Sequence, residues 1–290
     1  MIRLADEWKD YELIDAGDKD KLERWGDIVL VRPDPQAIWQ KRDLKEWHRY
    51  DAIYHRSSQG GGSWEFRKTL PEYWTVSYHD LVFKVSPTNF KPTGLFPEQA
   101  ANWDWLQQQV RNSSRPLKAL NLFGYTGAAT MALAQAGCEE TVHVDAAKGM
   151  VNWAKENMIL NKLEDHTIRF IVDDALKFVE REFRRGHRYD IILMDPPSYG
   201  RGPNKELWKL EDQLETLISE TAKILSDDPV AYLVNGYTTG FSPIVLTNLI
   251  SRHVLSRYPD GKVYSVELGL PMRNSNMVLP CGISGRFERP

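Results

Sequence analysis

Between residues 98 and 234 helical periodicity alternates with short apolar runs, and the first four of those runs end at a glycine or an aspartate. Pro97 stands where a helix can begin, and Trp103, Leu106 and Val110 recur at helical spacing within Glu98–Val110. Strand Lys118–Phe123, helix Ala128–Ala136, strand Thr141–Val144 and helix Lys148–Asn157 follow. Then come strand Ile168–Val172, helix Ala175–Arg184, strand Tyr189–Met194, helix Leu207–Leu225 and strand Val230–Val234. Five strands joined by helical crossovers predict a parallel, doubly wound α/β sheet. After a shorter helix near Pro243–His253, segments Lys262–Gly269 and Asn276–Ile283 are too close to hold a crossover helix. They are expected to pair as an antiparallel hairpin at the sheet edge, making a seven-stranded, mostly parallel sheet.

Residues 1–90 have another texture, rich in Trp and Tyr and broken by Pro33, Pro35, Pro71 and Gly60–Gly62. Asp27–Val31 reads as a strand, and Tyr73–Tyr78 with Leu81–Val85 as a hairpin turning at His79-Asp80. Gly60–Ser63 is expected to be an exposed loop. The division is therefore a small β-rich domain over 1–90 and an α/β domain over 91–290. Only Cys138 and Cys281 are present, which suits a reducing compartment. No apolar run approaches the ~20 residues of a membrane span, and the first residues hold no apolar signal core, so a cytoplasmic location is expected. A net charge of -3 argues against a protein that simply coats polyanions. The seven His are scattered, and no metal site is expected.

The chemistry-bearing residues sit where strands turn into helices. In Asn121-Leu-Phe-Gly-Tyr-Thr-Gly127, Gly124 and Gly127 let backbone approach a ligand closely at a helix N-terminus. Phe123, Tyr125 and Thr126 share that turn. Asp145, 18 residues after Gly127 and followed by Ala146, can accept both hydroxyls of a ribose. Asp173 and Asp174, before Ala175, can meet an adenine amine. Each aspartate also suits plain helix capping. Asp195-Pro196-Pro197 ends a wholly apolar strand; its prolines remove two donors and leave carbonyls and a carboxylate. Such acceptors suit a substrate amine attacking an already activated methyl donor, a step that needs alignment above all. Open α/β sheets bind ligands at these strand ends, and the terminal hairpin favours the class I methyltransferase variant of the Rossmann-like fold. The expected cofactor is S-adenosyl-L-methionine. A nicotinamide dehydrogenase fits poorly, for want of a third glycine.

Lys91-Pro-Thr-Gly-Leu-Phe-Pro-Glu-Gln99, Asn121–Gly127, Val144–Lys148, Ala154–Asn157 with Asn161–Leu163, Asp173-Asp174 and Asp195–Pro197 together resemble a known family. It is the bacterial 23S rRNA large-subunit methyltransferases that act on cytosine C5 or guanine N7, and the likeness covers residues 74–240. The resemblance implies that 91–99 closes over the cofactor, making Thr93, Gly94, Phe96 and Gln99 candidate contacts. The chain departs from the family in three ways. Ala100-Ala-Asn102 replaces a basic continuation, residues 1–73 show no recognisable PUA-type RNA-binding domain, and no cysteine stands beside Pro197 or after the fifth strand. C5 chemistry needs a cysteine thiolate and is disfavoured; Cys138 and Cys281 read as buried structural thiols.

Substrate signals are weaker. Trp39–Tyr50 with Tyr54-His-Arg56 interleaves aromatics and cations as single-stranded RNA binders do, and equally suits an amphipathic surface helix burying Trp39 and Trp47. Arg181, Arg184, Arg185, His187 and Arg188 form a basic helix end expected to face away from the cleft. Tyr199 suits stacking on a target base or packing in its loop, and Gly200–Asn204 reads as a mobile loop in which Arg201 can meet phosphate. The leading expectation is transfer of methyl from S-adenosylmethionine to an RNA base nitrogen, ribosomal RNA favoured. A protein or small-metabolite methyltransferase, or a non-catalytic RNA-binding paralogue, are the alternatives.

Overall fold

The computed structural model describes every residue except 58–60, 89–91, 202–206, 238–239 and 290. The chain divides into two compact units, Arg3–Ala101 with Leu268–Cys281, and Met1–Ile2 with Asn102–Glu267 and Gly282–Pro290. Sequence texture alone places the boundary at residue 90 and keeps the whole C-terminal hairpin with the α/β domain. A hairpin of 10- and 11-residue strands is long enough for its far end to belong elsewhere.

After a short strand β1 (Ile2–Leu4), the N-terminal unit runs β2 (Tyr11–Gly17), β3 (Asp20–Trp25), β4 (Ile28–Pro33), β5 (Ala52–Arg56) and β6 (Gly62–Phe66). These form a five-stranded sheet in the order β2-β3-β4-β5-β6, antiparallel except for the β4–β5 pair. The expected hairpin is present as β7 (Trp74–Tyr78) and β8 (Leu81–Val85), with His79 left-handed at its turn. Two expectations need correcting. Gly62 and Ser63 open β6 and pair with Arg56 and His55, so only Gly61 of the Gly60–Ser63 loop turns here; Gly60 lies outside the described residues. Residues 39–56 form no amphipathic α-helix: one 3-10 turn, Glu46–His48, precedes β5. Competing side-chain bonds explain this, because Trp39 Nε1 donates to the Ala16 carbonyl and Trp47 Nε1 to Asp15 Oδ2, both at 2.7 Å.

The core of this unit holds an ionic cluster as well as Leu22, Trp25 and Leu30. Glu23 is fully buried and accepts from Arg32 Nε at 2.7 Å, Arg32 Nη2 at 2.8 Å and the Tyr11 hydroxyl at 2.8 Å. Lys21 Nζ lies 3.5 Å from both Glu23 and Asp34. Burial alone would raise the Glu23 pKa; the neighbouring Arg32 and Lys21 outweigh it and hold the carboxyl at about 2.

A 3-10 turn, Pro97–Gln99, closes the first stretch of the N-terminal unit, and the chain then runs α1 (Ala100–Asn112), β9 (Lys118–Leu122), α2 (Ala128–Ala136), β10 (Glu140–Asp145), α3 (Lys148–Leu160), β11 (Ile168–Val172), α4 (Ala175–Arg185) and β12 (Ile191–Met194). A small hairpin, β13 (Tyr199–Arg201) and β14 (Leu207–Lys209), then precedes α5 (Leu210–Ala222), β15 (Ala231–Gly236), α6 (Pro243–Ile250), β16 (Lys262–Pro271) and β17 (Val278–Glu288). The sheet order is β1-β16-β17-β15-β12-β9-β10-β11, so the expected seven strands are joined by an eighth at the edge. β15, β12, β9, β10 and β11 are parallel, and β17 runs antiparallel to β15. Helices cover both faces, which is why Ile191–Met194 is apolar throughout and fully buried. Winding reverses between β9 and β12, and a crevice opens beyond such neighbouring strand ends in this class of sheet. The sequence placed Leu207 in a helix and Gly200–Asn204 in a loop. Instead Gly200 pairs with Trp208, the helix waits until Leu210, and 202–204 lie outside the described residues.

The ion pair in the N-terminal unit carries a stability prediction. Arg32→Met leaves Glu23 buried without its bidentate partner and is expected to cost about 3–5 kcal/mol in denaturant unfolding. Because the Glu23 pKa is lowered from 4.5 to about 2 on folding, its stabilisation is complete above pH 4.5 and lost as pH falls towards 2. The difference between Arg32→Met and the parent protein should therefore shrink across that window. A constant difference from pH 7 to pH 2 would refute this assignment.

Candidate functional site

The turn after β9 is shaped by its neighbours. Phe123, Tyr125 and Gly127 take left-handed φ values of 57°, 50° and 85°. Such backbone is uncommon for non-glycine residues and persists only where the surroundings hold it. Gly124 N donates to the Val144 carbonyl at 3.0 Å, Tyr125 N to Asp145 Oδ2 at 2.9 Å, and Asn157 Nδ2 to the Thr126 carbonyl at 2.9 Å. Both glycines are sterically required: a Cβ on Gly124 would sit 2.4 Å from the His143 ring, and one on Gly127 2.8 Å from the Ala154 Cβ. Flexibility alone is thus not their reason. Each is where two elements touch.

Asp145 ends β10 half-buried, its second oxygen accepting from Ala147 N at 2.8 Å. Burial raises its pKa, opposed by the two backbone amides. A carboxylate has about four acceptor positions, so two amide bonds leave capacity for a diol. Ala146 is exposed beside it. Asp174 is the N-cap of α4, Oδ1 accepting from Lys177 N at 3.0 Å, with Ala175 buried after it. Asp173 accepts from Asp174 N at 2.9 Å and pairs with Arg181. Arg181 therefore does not face away with the rest of the basic run, because two helical turns carry its guanidinium back to the strand end. Arg185 and His187 instead meet buried Glu182.

Asp195 follows β12, its amide 3.4 Å from the Leu122 carbonyl. It is half-buried, Pro196 is buried, Pro197 is exposed, and Tyr199 is 60% exposed. The expectation of carbonyls left open needs one correction: Trp208 Nε1 donates to the Pro197 carbonyl at 2.6 Å. The same indole lies 5.6 Å from the Phe123 ring, linking this turn to the one after β9.

Sequence reasoning missed a polar line beneath the turn. Asn121 Nδ2 donates to Thr130 Oγ1 at 2.9 Å, and Thr130 Oγ1 lies 2.9 Å from His143 Nδ1, all three buried. Burial lowers the His143 pKa to about 4, so the imidazole is neutral near pH 7. The available signal was a histidine inside the apolar strand Thr141–Val144. Cys138 is buried with its thiol pushed up to about 12 by desolvation and Asp190. Desolvation and Glu98 push the Cys281 thiol well above its usual value, so neither supplies a ready thiolate.

Thr93, Gly94, Phe96 and Gln99 belong to the N-terminal unit. There Gly94 has φ 94°, the Thr93 carbonyl accepts from Ser86 N at 3.0 Å, and the Pro97 carbonyl from Trp8 Nε1 at 3.0 Å. Thr93 Oγ1 is buried with no hydrogen-bond partner among the described residues. Among those residues no group of three or more His, Cys, Asp and Glu can hold a metal, and no helix is long and apolar enough to cross a membrane.

A family model described as S-adenosylmethionine-dependent methyltransferase matches residues 27–219. The chain belongs to that family. A solved structure of the S-adenosylmethionine-dependent methyltransferase from Agrobacterium tumefaciens is 39% identical, with a TM-score of 0.94, covering 100% of this chain and 94% of that one. Ribosomal RNA large subunit methyltransferase K/L of Magnetococcus marinus is 29% identical over 208 residues, 71% of this chain and 26% of that protein. Methyltransferase K of Neisseria meningitidis is 24% identical over 244 residues, 81% of this chain and 67% of that protein. The chain thus spans about a quarter of the first relative and two-thirds of the second.

Gly124→Ala is expected to lower stability by about 1–3 kcal/mol through its clash with the His143 ring. Adding His143→Ala should return part of that loss in thermal unfolding. Strictly additive losses would show that the ring does not confine Gly124.

Proposed function

We propose that this methyltransferase modifies a nitrogen of an RNA base, with ribosomal RNA the favoured substrate. The observation that carries the reading is an acceptor-rich Asp195-Pro196-Pro197 turn at the reversal of the sheet, next to exposed Tyr199. Relatives named for the large ribosomal subunit RNA support the substrate class. Bound S-adenosylmethionine supplies a methyl group activated as a sulfonium.

The donor set fits that cofactor. Asp145, beside Ala146, accepts the ribose hydroxyls with its remaining lone pairs, and Asp174, beside Asp173 and Ala175, meets the adenine. Phe123, Gly124, Tyr125, Thr126 and Gly127 cradle the methionine end, with Asn121 beneath them. The family resemblance adds Thr93, Gly94, Phe96 and Gln99 as candidate contacts. Asp195 and the Pro196 carbonyl accept hydrogen bonds from the target amine and aim its lone pair; Asp195 takes up the proton that nitrogen sheds, and Tyr199 stacks on the base. Pro197 holds the turn. The high pKa of both thiols disfavours cytosine C5 chemistry.

The test is transfer of labelled methyl from S-adenosylmethionine into an extract of a strain lacking the gene. Label lost to ribonuclease alone is expected; label in protein or small molecules would refute the RNA reading. Asp145→Ala should weaken cofactor binding by about tenfold, as loss of a charged hydrogen-bond acceptor implies. Asp195→Ala should leave binding intact and cut transfer by about 100-fold or more. Full turnover by Asp195→Ala would overturn its assignment.

A further inference from the structure

Arg286 on β17 is only 1% exposed, opposite Leu233 of β15. Its guanidinium lies 4.8 Å from the centroid of the Trp105 ring, and Nη2 donates to Asn102 Oδ1 at 2.6 Å. Trp105 Nε1 and the Tyr264 hydroxyl both donate to Glu288 Oε2 at 3.0 Å beside it. Taking a guanidinium out of water costs several kcal/mol, and apolar residues of like volume commonly replace such ions without loss of stability. The position therefore calls for a purpose other than packing.

The hydrogen bonds have a direction. A guanidinium offers only donors, so the oxygen of the Asn102 amide must face it and the nitrogen must face away. That nitrogen donates to Asn235 Oδ1 at 3.0 Å. With its oxygen turned to Asn102, Asn235 presents its amide nitrogen further on. Asn102 and Asn235 are both buried. Val234 and Met194 are the last pair in register between these neighbouring parallel strands, and Asn235 and Asp195 are the residues that follow them.

We propose that Arg286 is a positioning residue for methyl transfer: through Asn102 it fixes the Asn235 amide as a donor beside the Asp195 carboxylate. This rests on the reading of Asp195 given above. A reversed Asn235 amide would set an oxygen against the carboxylate and turn it from the target nitrogen. Arg286 sets which way round both amides sit, while Trp105 keeps the guanidinium from sliding out of line.

Two measurements test it. Side-chain amide spectra of protein labelled with 15N-asparagine, assigned through Asn102→Ala and Asn235→Ala, read the orientation without any substrate. Arg286→Met should shift and broaden the Asn235 amide pair, whereas Arg286→Lys, which keeps charge and donor, should retain it. In transfer from labelled S-adenosylmethionine to total RNA of a strain lacking the gene, Arg286→Met should lower kcat by about 100-fold, with KM for RNA and cofactor affinity unchanged. Arg286→Lys should recover part of that loss. Asn235→Ala should lose as much, and the double variant no more than either. An Asn235 amide unmoved by Arg286→Met, or losses that multiply in the double variant, would overturn the proposal. Failure of the parent protein to label RNA would count against the RNA reading only, since the spectra judge the amide chain independently.

Discussion

The bond from Tyr125 N to the Asp145 carboxylate ties the ends of β10 and the β9–α2 turn together, and the arrangement at the strand ends depends on it. One short side chain does three jobs there: it holds a left-handed residue, closes the turn into α3 through Ala147 N, and keeps acceptor capacity for a ligand. A carboxylate so placed is stabilised by the groups it organises, which offsets part of its burial cost. Strained backbone at Phe123 and Tyr125 persists because Gly124, Asn157 and Asp145 each restrain it.

Under that turn the sheet face is unusually polar for a core. Asn121, Thr130 and His143 form one line, and Arg286, Asn102 and Asn235 another. Asn121, His143 and Asn235 take parallel-strand positions that would ordinarily carry aliphatic side chains, while Thr130 and Asn102 come from α2 and α1 and Arg286 from the antiparallel β17. Hydrogen-bonded chains of this kind restrain a strand end at some expense of stability, the more so because His143 Nε2 is buried with no hydrogen-bond partner among the described residues. The opposite face has Leu120, Leu122, Val142, Val144, Ile192 and Met194 against α4, α5 and α6. Rigidity on one face and close apolar packing on the other leave the crevice ends well defined.

In the N-terminal unit only β4 and the β7–β8 hairpin are legible from local pattern, and neither the other strands nor the role of charge is. Glu23, Arg32 and Lys21 sit in ordinary-looking strands, and nothing local distinguishes them from surface residues; pairing β3 with β4 is what buries them together. Trp39 and Trp47 escape a local reading for a similar reason. Their indoles are held by Ala16 and Asp15, more than twenty residues away in sequence, which helical periodicity cannot register.

Local pattern was enough to set the alternation of helix and strand, the parallel sheet, its closing hairpin and the positions of Gly124, Gly127, Asp145, Asp174 and Asp195. Each of these follows from periodicity, turn chemistry or a carboxylate at a strand end, all written within a few residues. Packing of distant segments settled which oxygens of those aspartates are already engaged, why Gly124 must lack a Cβ, and that Arg181 turns back to Asp173. It also joined Arg286 to Asn102 across 184 residues of chain. Contacts of that kind exist only once strands are registered and helices packed, and their energies depend on burial that no local pattern encodes.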